Sequence, residues 1–344
     1  MNRKLGVFLV LMACAFSAKA LEVKEGLVKL VVDERVARVS LYRLVDVKKG
    51  IYEPLFFASD PRTSYASLSI DGVQYRLGDS SDYRFAVSRT ASGAAIQFSS
   101  KFCTLVESID FVKSEGAALV DGVKISFALQ NSSQKDESIG LRLLLDTWLG
   151  EKSGLHFRTS RLAKVTGETA IEGFGDESWI STPGERANLQ IMLKATGLES
   201  PDRALLANWK RLSDASWSFE ALPSRGFTLL PYSVNDSAVA LFWEPRVVRA
   251  GARRTFSVIA GAFNASGYSD RIVESGGGGP AGLFSLPSAE GTDRETAMQA
   301  DLVAVRDLLS RIDQALADGQ TPSPEDIETW NKILDQLEKR KKGY

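Results

Sequence analysis

The chain has 344 residues, with 42 basic and 43 acidic side chains, one histidine and two cysteines. Apolar residues at 44% and charged residues at 25% are the proportions of a folded globular protein, which excludes a disordered chain, a collagen and a multi-span membrane protein. A net charge of -1 argues against whole-protein attraction to nucleic acid, and the shortage of histidine and cysteine argues against a multi-ligand zinc, haem or iron–sulfur centre.

In chain order, residues 1–20 read as a signal peptide. Arg3 and Lys4 form a basic start, Leu5 to Phe16 an apolar run too short to span a bilayer comfortably, and Ala18-Lys19-Ala20 a small-x-small cleavage pattern. Cleavage is expected after Ala20. The competing reading is a lipid anchor at Cys14, because Leu11-Met12-Ala13-Cys14 resembles a lipobox, although Met12 fits that pattern poorly. Cleavage after Ala20 leaves Cys103 as the single thiol, so no internal disulfide can form. Cys103 sits in an apolar run and is expected to be a buried, inert thiol. No other stretch is long and apolar enough for a membrane span.

Residues 21–264 read as a β-sandwich domain. Val123, Ile125, Phe127 and Leu129 alternate with smaller or polar residues, and Ile139, Leu141, Leu143 and Leu145 repeat the pattern. The polar segment 131–138 between them reads as a hairpin loop. Further strands are predicted at 27–32, 36–45, 66–70, 83–88, 94–99, 104–112, 188–194, 227–231, 238–243 and 254–262. The run 238–243 is apolar on both faces, which places it in the middle of a packed structure. Residues 150–187 read as long loops with one or two short strands, and 201–209 as a short helix or an edge strand. The fold class expected is mainly β: a large antiparallel β-sandwich, supersandwich-like, followed by a C-terminal α-helical hairpin.

Residues 265–290 are expected to be a Gly-rich linker, centred on Gly276 to Gly279. From 291 to 344 the period is helical. Met298, Leu302, Val305, Leu309, Ile312 and Leu316 form one narrow stripe. Ser323 and Pro324 start a second helix that carries Ile327, Trp330, Leu334 and Leu337 on one face. Two helices of this size cannot stabilise themselves, so the stripe is expected to dock on the β-domain, a second copy or another envelope protein.

Few patterns carry chemistry. Gly277, Gly279 and Gly282 match G-x-G-x-x-G in letters, but no convincing strand leads into them. His156, the only histidine, has no G-x-S-x-G elbow to serve. No metal-ligand spacing and no EF-hand loop is present. Paired carboxylates are the remaining acid–base chemistry. Asp146 and Glu151 flank Thr147-Trp148-Leu149-Gly150, and Glu168, Glu172, Asp176 and Glu177 follow. Such carboxyls beside Trp148, Trp179, Trp209, Trp217 or Trp243 could line a sugar cleft. The plainer reading is that they fix the loop and that the tryptophans are core and rim.

Two segments carry a resemblance. Ser138-Ile139-Gly140-Leu141-Arg142-Leu143-Leu144-Leu145-Asp146-Thr147-Trp148-Leu149-Gly150 and Tyr232-Ser233-Val234-Asn235-Asp236-Ser237-Ala238-Val239-Ala240-Leu241-Phe242-Trp243-Glu244-Pro245, with Asn208-Trp209-Lys210-Arg211-Leu212 between them, resemble a family of uncharacterised secreted bacterial β-sandwich proteins. The resemblance covers roughly 120–262 and implies a sandwich, with no activity or catalytic residue to carry over. The large sandwich is also similar to the mutarotase-like supersandwich, whose sugar chemistry rests on histidines that this chain lacks.

The sequence therefore reads as a non-catalytic secreted or periplasmic envelope protein, with the helical hairpin as its docking element. No cofactor, metal or nucleic acid is expected, and the partner is another envelope protein or a second copy. The alternative is a carbohydrate-binding or carbohydrate-processing protein using Asp146, Trp148, Glu151 and Glu172.

Overall fold

The computed structural model describes residues 20–175 and 177–273, the helix Pro324–Lys341, and positions 298, 301–303, 305–306, 308–309 and 312. Residues 1–19 with Cys14, most of the expected linker, Asp176 and Leu316 lie outside the described residues.

The chain opens with β1 (Ala20–Glu25), β2 (Val28–Asp33), β3 (Arg38–Asp46) and β4 (Ile51–Pro54), a four-stranded antiparallel meander. Next come β5 (Tyr65–Ile70), β6 (Val73–Arg76), β7 (Arg84–Thr90), β8 (Gly93–Ser99), β9 (Cys103–Ser114), β10 (Gly122–Asn131) and β11 (Glu137–Asp146). Short strands β12 (Arg158–Thr159), β13 (Thr169–Glu172) and β14 (Trp179–Pro183) follow, then β15 (Asn188–Met192), β16 (Arg203–Asn208) and a single turn and a half of helix, α1 (Trp209–Asp214). β17 (Ser237–Val248), β18 (Arg253–Ala262) and β19 (Tyr268–Ile272) complete the sheets, and α2 (Pro324–Lys341) lies near the C-terminus.

A six-stranded sheet runs β13-β16-β17-β11-β5-β6, and a nine-stranded sheet runs β12-β14-β15-β18-β10-β9-β8-β7 with β19 added on β9. Every strand pairing among the described residues is antiparallel. The inward residues of both sheets meet in one core. Leu141, Leu143, Leu145, Val239 and Leu241 come from the six-stranded sheet, and Val123, Ile125, Phe127, Phe256 and Val258 from the nine-stranded one. Val23, Leu30 and Val32 of the meander join the same core. Period-two alternation of β-branched and aromatic residues sends one set of side chains inward in each strand.

β17 lies between β16 and β11, and Ser237 to Trp243 are all buried. Val239, Leu241 and Trp243 enter the main core, while Ala238, Ala240 and Phe242 face the opposite side under α1. A strand in the middle of a sheet covered on both faces needs apolar residues at every position, as its sequence has.

Several expectations are corrected. Segment 131–138 is not a hairpin loop, because β10 and β11 belong to different sheets and the loop crosses between them. The Asn131 amide ties the crossing by donating to the carbonyls of Lys135 (2.9 Å) and Val248 (2.8 Å). Residues 227–231 form a turn and not a strand, with an isolated bridge between Leu229 and Ser233. Pro231 has no N–H to give a ladder, and Leu230 points into solvent. Segment 150–187 holds three short strands. The stretch expected to open the linker instead forms β19.

In the C-terminal region the described positions between 298 and 312 are helical, as is α2. Leu308 and Leu337 are buried against each other's helices, with Val305, Ile312 and Trp330 packed around them. Met298, Leu302, Leu309, Ile327 and Leu334 remain exposed. The guanidinium of Arg306 lies 5.8 Å from the Tyr52 ring centre, against the β3–β4 turn.

Candidate functional site

Asp146 is the last residue of β11, opposite Ala238 in the ladder with β17. The chain then turns through a one-turn 3-10 helix, Trp148–Gly150, which Glu151 ends. Thr147 and Ser237 clamp this turn to the start of β17: the Thr147 N–H and hydroxyl both donate to the Ser237 carbonyl at 3.2 Å. The Ser237 N–H donates to Glu151 Oε1 at 3.0 Å. This clamp draws in Asp236, the residue before Ser237. Asp146, Glu151 and Asp236 each present a carboxylate oxygen, and the three oxygens lie within 4.8 Å of one another. Asp146 is buried at the bottom of the group, while Glu151 and Asp236 keep partial exposure.

Like charges this close cannot all be ionised in a poorly solvated site. Burial pushes the Asp146 carboxyl up to about 7, partly offset by the Thr63 hydroxyl, and the Asp236 charge pushes the same way. Burial also raises Glu151 to about 8, against the Ser237 N–H and with the repulsion of Asp146 and Asp236. Asp236 is raised by burial, with the Ser233 hydroxyl opposing. With Asp146 at about 7 and Glu151 at about 8, the group still holds protons at neutral pH. Such a group can give a proton from one carboxyl and accept one on another. Three hard oxygens at this spacing also suit a cation such as calcium.

The second wall of the site is the loop 227–236. Asn208, fully buried, holds it: its amide nitrogen lies 2.9 Å from the Phe227 carbonyl, 2.9 Å from the Ser233 hydroxyl and 3.0 Å from the Asp236 carbonyl. Its carbonyl oxygen caps α1 by accepting from the Arg211 N–H. Arg211 in turn pairs with the buried Glu168, which also accepts from the Leu222 N–H at 3.0 Å. Along α1 and this loop runs a surface groove of about 420 Å³, lined in part by Arg211, Asp214, Phe219, Leu222 and Leu229.

The structure brings together Asp146 and Glu151, with Trp148 between them in sequence. Trp148 is half-buried, its indole N–H donating to the Pro54 carbonyl at 3.2 Å, and it packs against the main core. Glu172 is elsewhere. It is an exposed residue of β13, level with Arg203 on β16, Phe242 on β17 and Arg142 on β11, three strands across and four positions along from Asp146. The remaining tryptophans are tied into the fold. Trp209 donates to Thr63 O, Trp217 to Glu244 Oε2 and Trp243 to Glu199 O, and Trp179 packs edge-on against Phe263. Tyr232, four residues before Asp236 on the same loop, is exposed, with Lys210 Nζ 5.5 Å from its ring centre. Asp236 carried no signal of its own in the sequence. It stands 85 positions beyond Glu151, and only strand pairing brings it there.

His156 is buried with no hydrogen-bond partner at Nδ1. Its ring centre lies 4.4 Å from that of Phe227, and burial pushes it down to about 4, so it is neutral at physiological pH. Cys103 is buried beside the Tyr83 hydroxyl at 3.3 Å, and burial raises its thiol. Both are inert core groups. Between the sheets, Arg38 and Glu107 line a small cavity of about 30 Å³. Burial raises Glu107 to about 7, with Arg38 opposing.

No family model matches the chain, and no curated protein matches it. Solved structures do. A galactose mutarotase-like protein from Lactobacillus casei has 13% identity and a TM-score of 0.40, over 71% of this chain and 100% of that one. A galactose mutarotase related enzyme from Lactobacillus acidophilus has 9% identity and a TM-score of 0.43, over 74% and 99%. A TPR-domain containing protein from Parabacteroides distasonis has 9% identity and a TM-score of 0.42, over 94% and 69%.

Proposed function

We propose that the protein binds carbohydrate at the Asp146–Glu151–Asp236 group and uses these carboxyls for acid–base chemistry on it. The observation that carries this reading is the gathering of three carboxyl oxygens within 4.8 Å, with Asp146 at about 7 and Glu151 at about 8. Keeping protons on carboxyls at neutral pH costs stability, and such costs collect where proton transfer is needed. A sugar presents hydroxyls that carboxylates accept from and a ring oxygen that a protonated carboxyl can donate to. Trp148 lies between Asp146 and Glu151 in sequence, and the exposed Tyr232 lies on the loop that leads into Asp236, so both are candidates for apolar contact with a sugar ring. The spacing is shorter than the roughly 6.5–9.5 Å that inverting hydrolysis needs to admit a water between its carboxyls. Proton transfer at an anomeric centre, or a retaining displacement, is therefore the chemistry that fits.

The test is a saccharide panel followed by saturation-transfer NMR at pH 7, with Asp146→Asn and Glu151→Gln alongside. Binding of at least one sugar by the folded wild type, weakened about tenfold or more in both variants, supports the reading. If no sugar binds, or if the variants bind as well as the wild type, it fails. A calcium titration in parallel separates sugar from cation binding.

A second reading, a non-catalytic envelope protein docking through its C-terminal helices, is favoured by the apolar residues those helices leave exposed. Export to the periplasm or outside the cell, with cleavage after Ala20, rests on the pattern of residues 1–20. N-terminal sequencing of the purified protein checks it: Leu21 first supports cleavage there, and a lipidated Cys14 contradicts it.

A further inference from the structure

The loop that leads from α1 into β17 carries an apolar tip that the fold holds out in solvent. Leu230 is 73% exposed, Tyr232 70% and Val234 65%. No other five-residue stretch among the described residues exposes three large apolar side chains. Hydrogen bonds fix this exposure. The N–H groups of Leu229 and Ser233 each donate to the other's carbonyl at 2.9 Å, and the Asn235 N–H donates to the Thr228 hydroxyl at 3.0 Å. At the base, the Asp236 N–H donates to the Phe227 carbonyl at 3.0 Å, and the buried Asn208 amide bonds both legs. Phe227 anchors the base in the core, with its ring centre 4.4 Å from that of His156 and 5.4 Å from that of Phe157. A tip tied in this way cannot fold its side chains back onto the core.

Cations surround the base. Arg225 precedes Phe227 by two residues. Lys164 is the charge that acts on His156, the ring packed against Phe227. Lys152 follows Glu151, whose carboxyl oxygen lies within 4.8 Å of that of Asp236. All three are exposed, and none has an ion-pair partner among the described residues. Lys210 Nζ lies 5.5 Å from the Tyr232 ring centre, but it is paired with Asp214. Glu220, the other exposed acid of residues 209–236, lines the groove with Leu229. The chain as a whole has a net charge of -1, so the surplus of unpaired cations is local to this base.

Shape and charge together select the occupant. A protein partner wants a broad patch of about 800 Å² a side, and three side chains on a projecting tip do not make one. A sugar stacks on aromatic faces, which Leu230 and Val234 lack. A bilayer accepts a small apolar wedge. Leu230 stands three residues beyond Phe227, a reach of at most about 11 Å. Side chains of interfacial elements bury about 5–10 Å into the boundary between headgroups and acyl chains. With the tip at that depth, cations around its base meet the headgroup phosphates. We propose that this hairpin seats the protein on an anionic lipid bilayer, with Leu230, Tyr232 and Val234 in the acyl boundary and Lys152, Lys164 and Arg225 at the phosphates.

The protein purified at its native N-terminus is floated at neutral pH with vesicles of phosphatidylcholine and phosphatidylglycerol, and separately with vesicles of phosphatidylcholine alone. The expected result is flotation with the anionic vesicles, weaker by about tenfold or more on phosphatidylcholine alone and weakened again at about 0.5 M salt. Leu230→Asp and Val234→Asp each change an exposed side chain. Each should cut vesicle binding about tenfold or more and leave the melting temperature unchanged. Reversing the base (Lys164→Glu with Arg225→Glu) should cut it too. No flotation with the anionic vesicles overturns the proposal, even if the tip captures a protein or a sugar. Flotation that is indifferent to Leu230→Asp and Val234→Asp, or equally strong on phosphatidylcholine alone, also overturns it.

Discussion

Asp146, Glu151 and Asp236 give the protein a pH dependence whose sign follows from their raised values. Each carboxyl binds its proton more tightly folded than unfolded. The stability it contributes is complete below about pH 4 and is lost as pH rises through about 7 for Asp146 and about 8 for Glu151. Glu107 at about 7 adds to the same trend. His156 works the other way, but it loses stability only as pH falls from about 6.5 toward 4. Between pH 6.5 and 8.5 the carboxyls therefore act alone, and the melting temperature should fall as pH rises. Asp146→Asn should flatten that slope and raise the melting temperature at pH 8 by about 2–4 °C. A wild-type melting temperature constant across this window would contradict the raised values. Asn208 has the opposite role. Its amide serves the Phe227 and Asp236 carbonyls and its oxygen caps α1, so Asn208→Ala should cost about 2–4 kcal/mol in urea unfolding.

Among elements, the one-turn helix Trp148–Gly150 matters most to the site. A Cβ on Gly150 would meet the Leu155 carbonyl oxygen at 2.2 Å and the His156 Cα at 2.8 Å, both backbone atoms that cannot swing aside. Gly150→Ala should cost about 1–3 kcal/mol and displace Glu151, seen as a lower urea midpoint and a shifted Glu151 carboxyl resonance. The strands themselves were largely legible. Alternation marked β10 and β11 correctly, and a run apolar on both faces marked β17 as central, because period two reports which faces are covered. Pairing was less legible. The polar run 131–138 marks a break between strands, although Asn131 and Glu137 within it are buried, and polarity does not say whether its flanking strands share a sheet. Residues 227–231 looked like a strand by composition, yet Pro231 and the tie from Asn208 make them a turn. In the site, Asp146 and Glu151 could be found because they are near in sequence. Asp236 could not, since its place depends on the β11–β17 register, and Glu172 fell out for the same reason.

At the scale of the molecule, one core joins the meander, the six-stranded sheet and the nine-stranded sheet. The carboxyl group lies at one end of that core, where β11 leaves the sheet and β17 enters it. Arg306 of the first C-terminal helix touches the β3–β4 turn, and Met298, Leu302, Leu309, Ile327 and Leu334 stay exposed. The carboxyl site and the C-terminal helices are built from different elements, so Leu309→Glu, at an exposed position, should leave sugar binding unchanged within about twofold.

The most direct test of the central claim follows the carboxyl carbons of Asp146 and Glu151 by NMR between pH 4 and 9, with and without saccharide. The predicted result is apparent midpoints near 7 and 8, which move when a sugar binds. Midpoints near 4 for both, unmoved by any sugar, would contradict a proton-holding carboxyl site acting on carbohydrate.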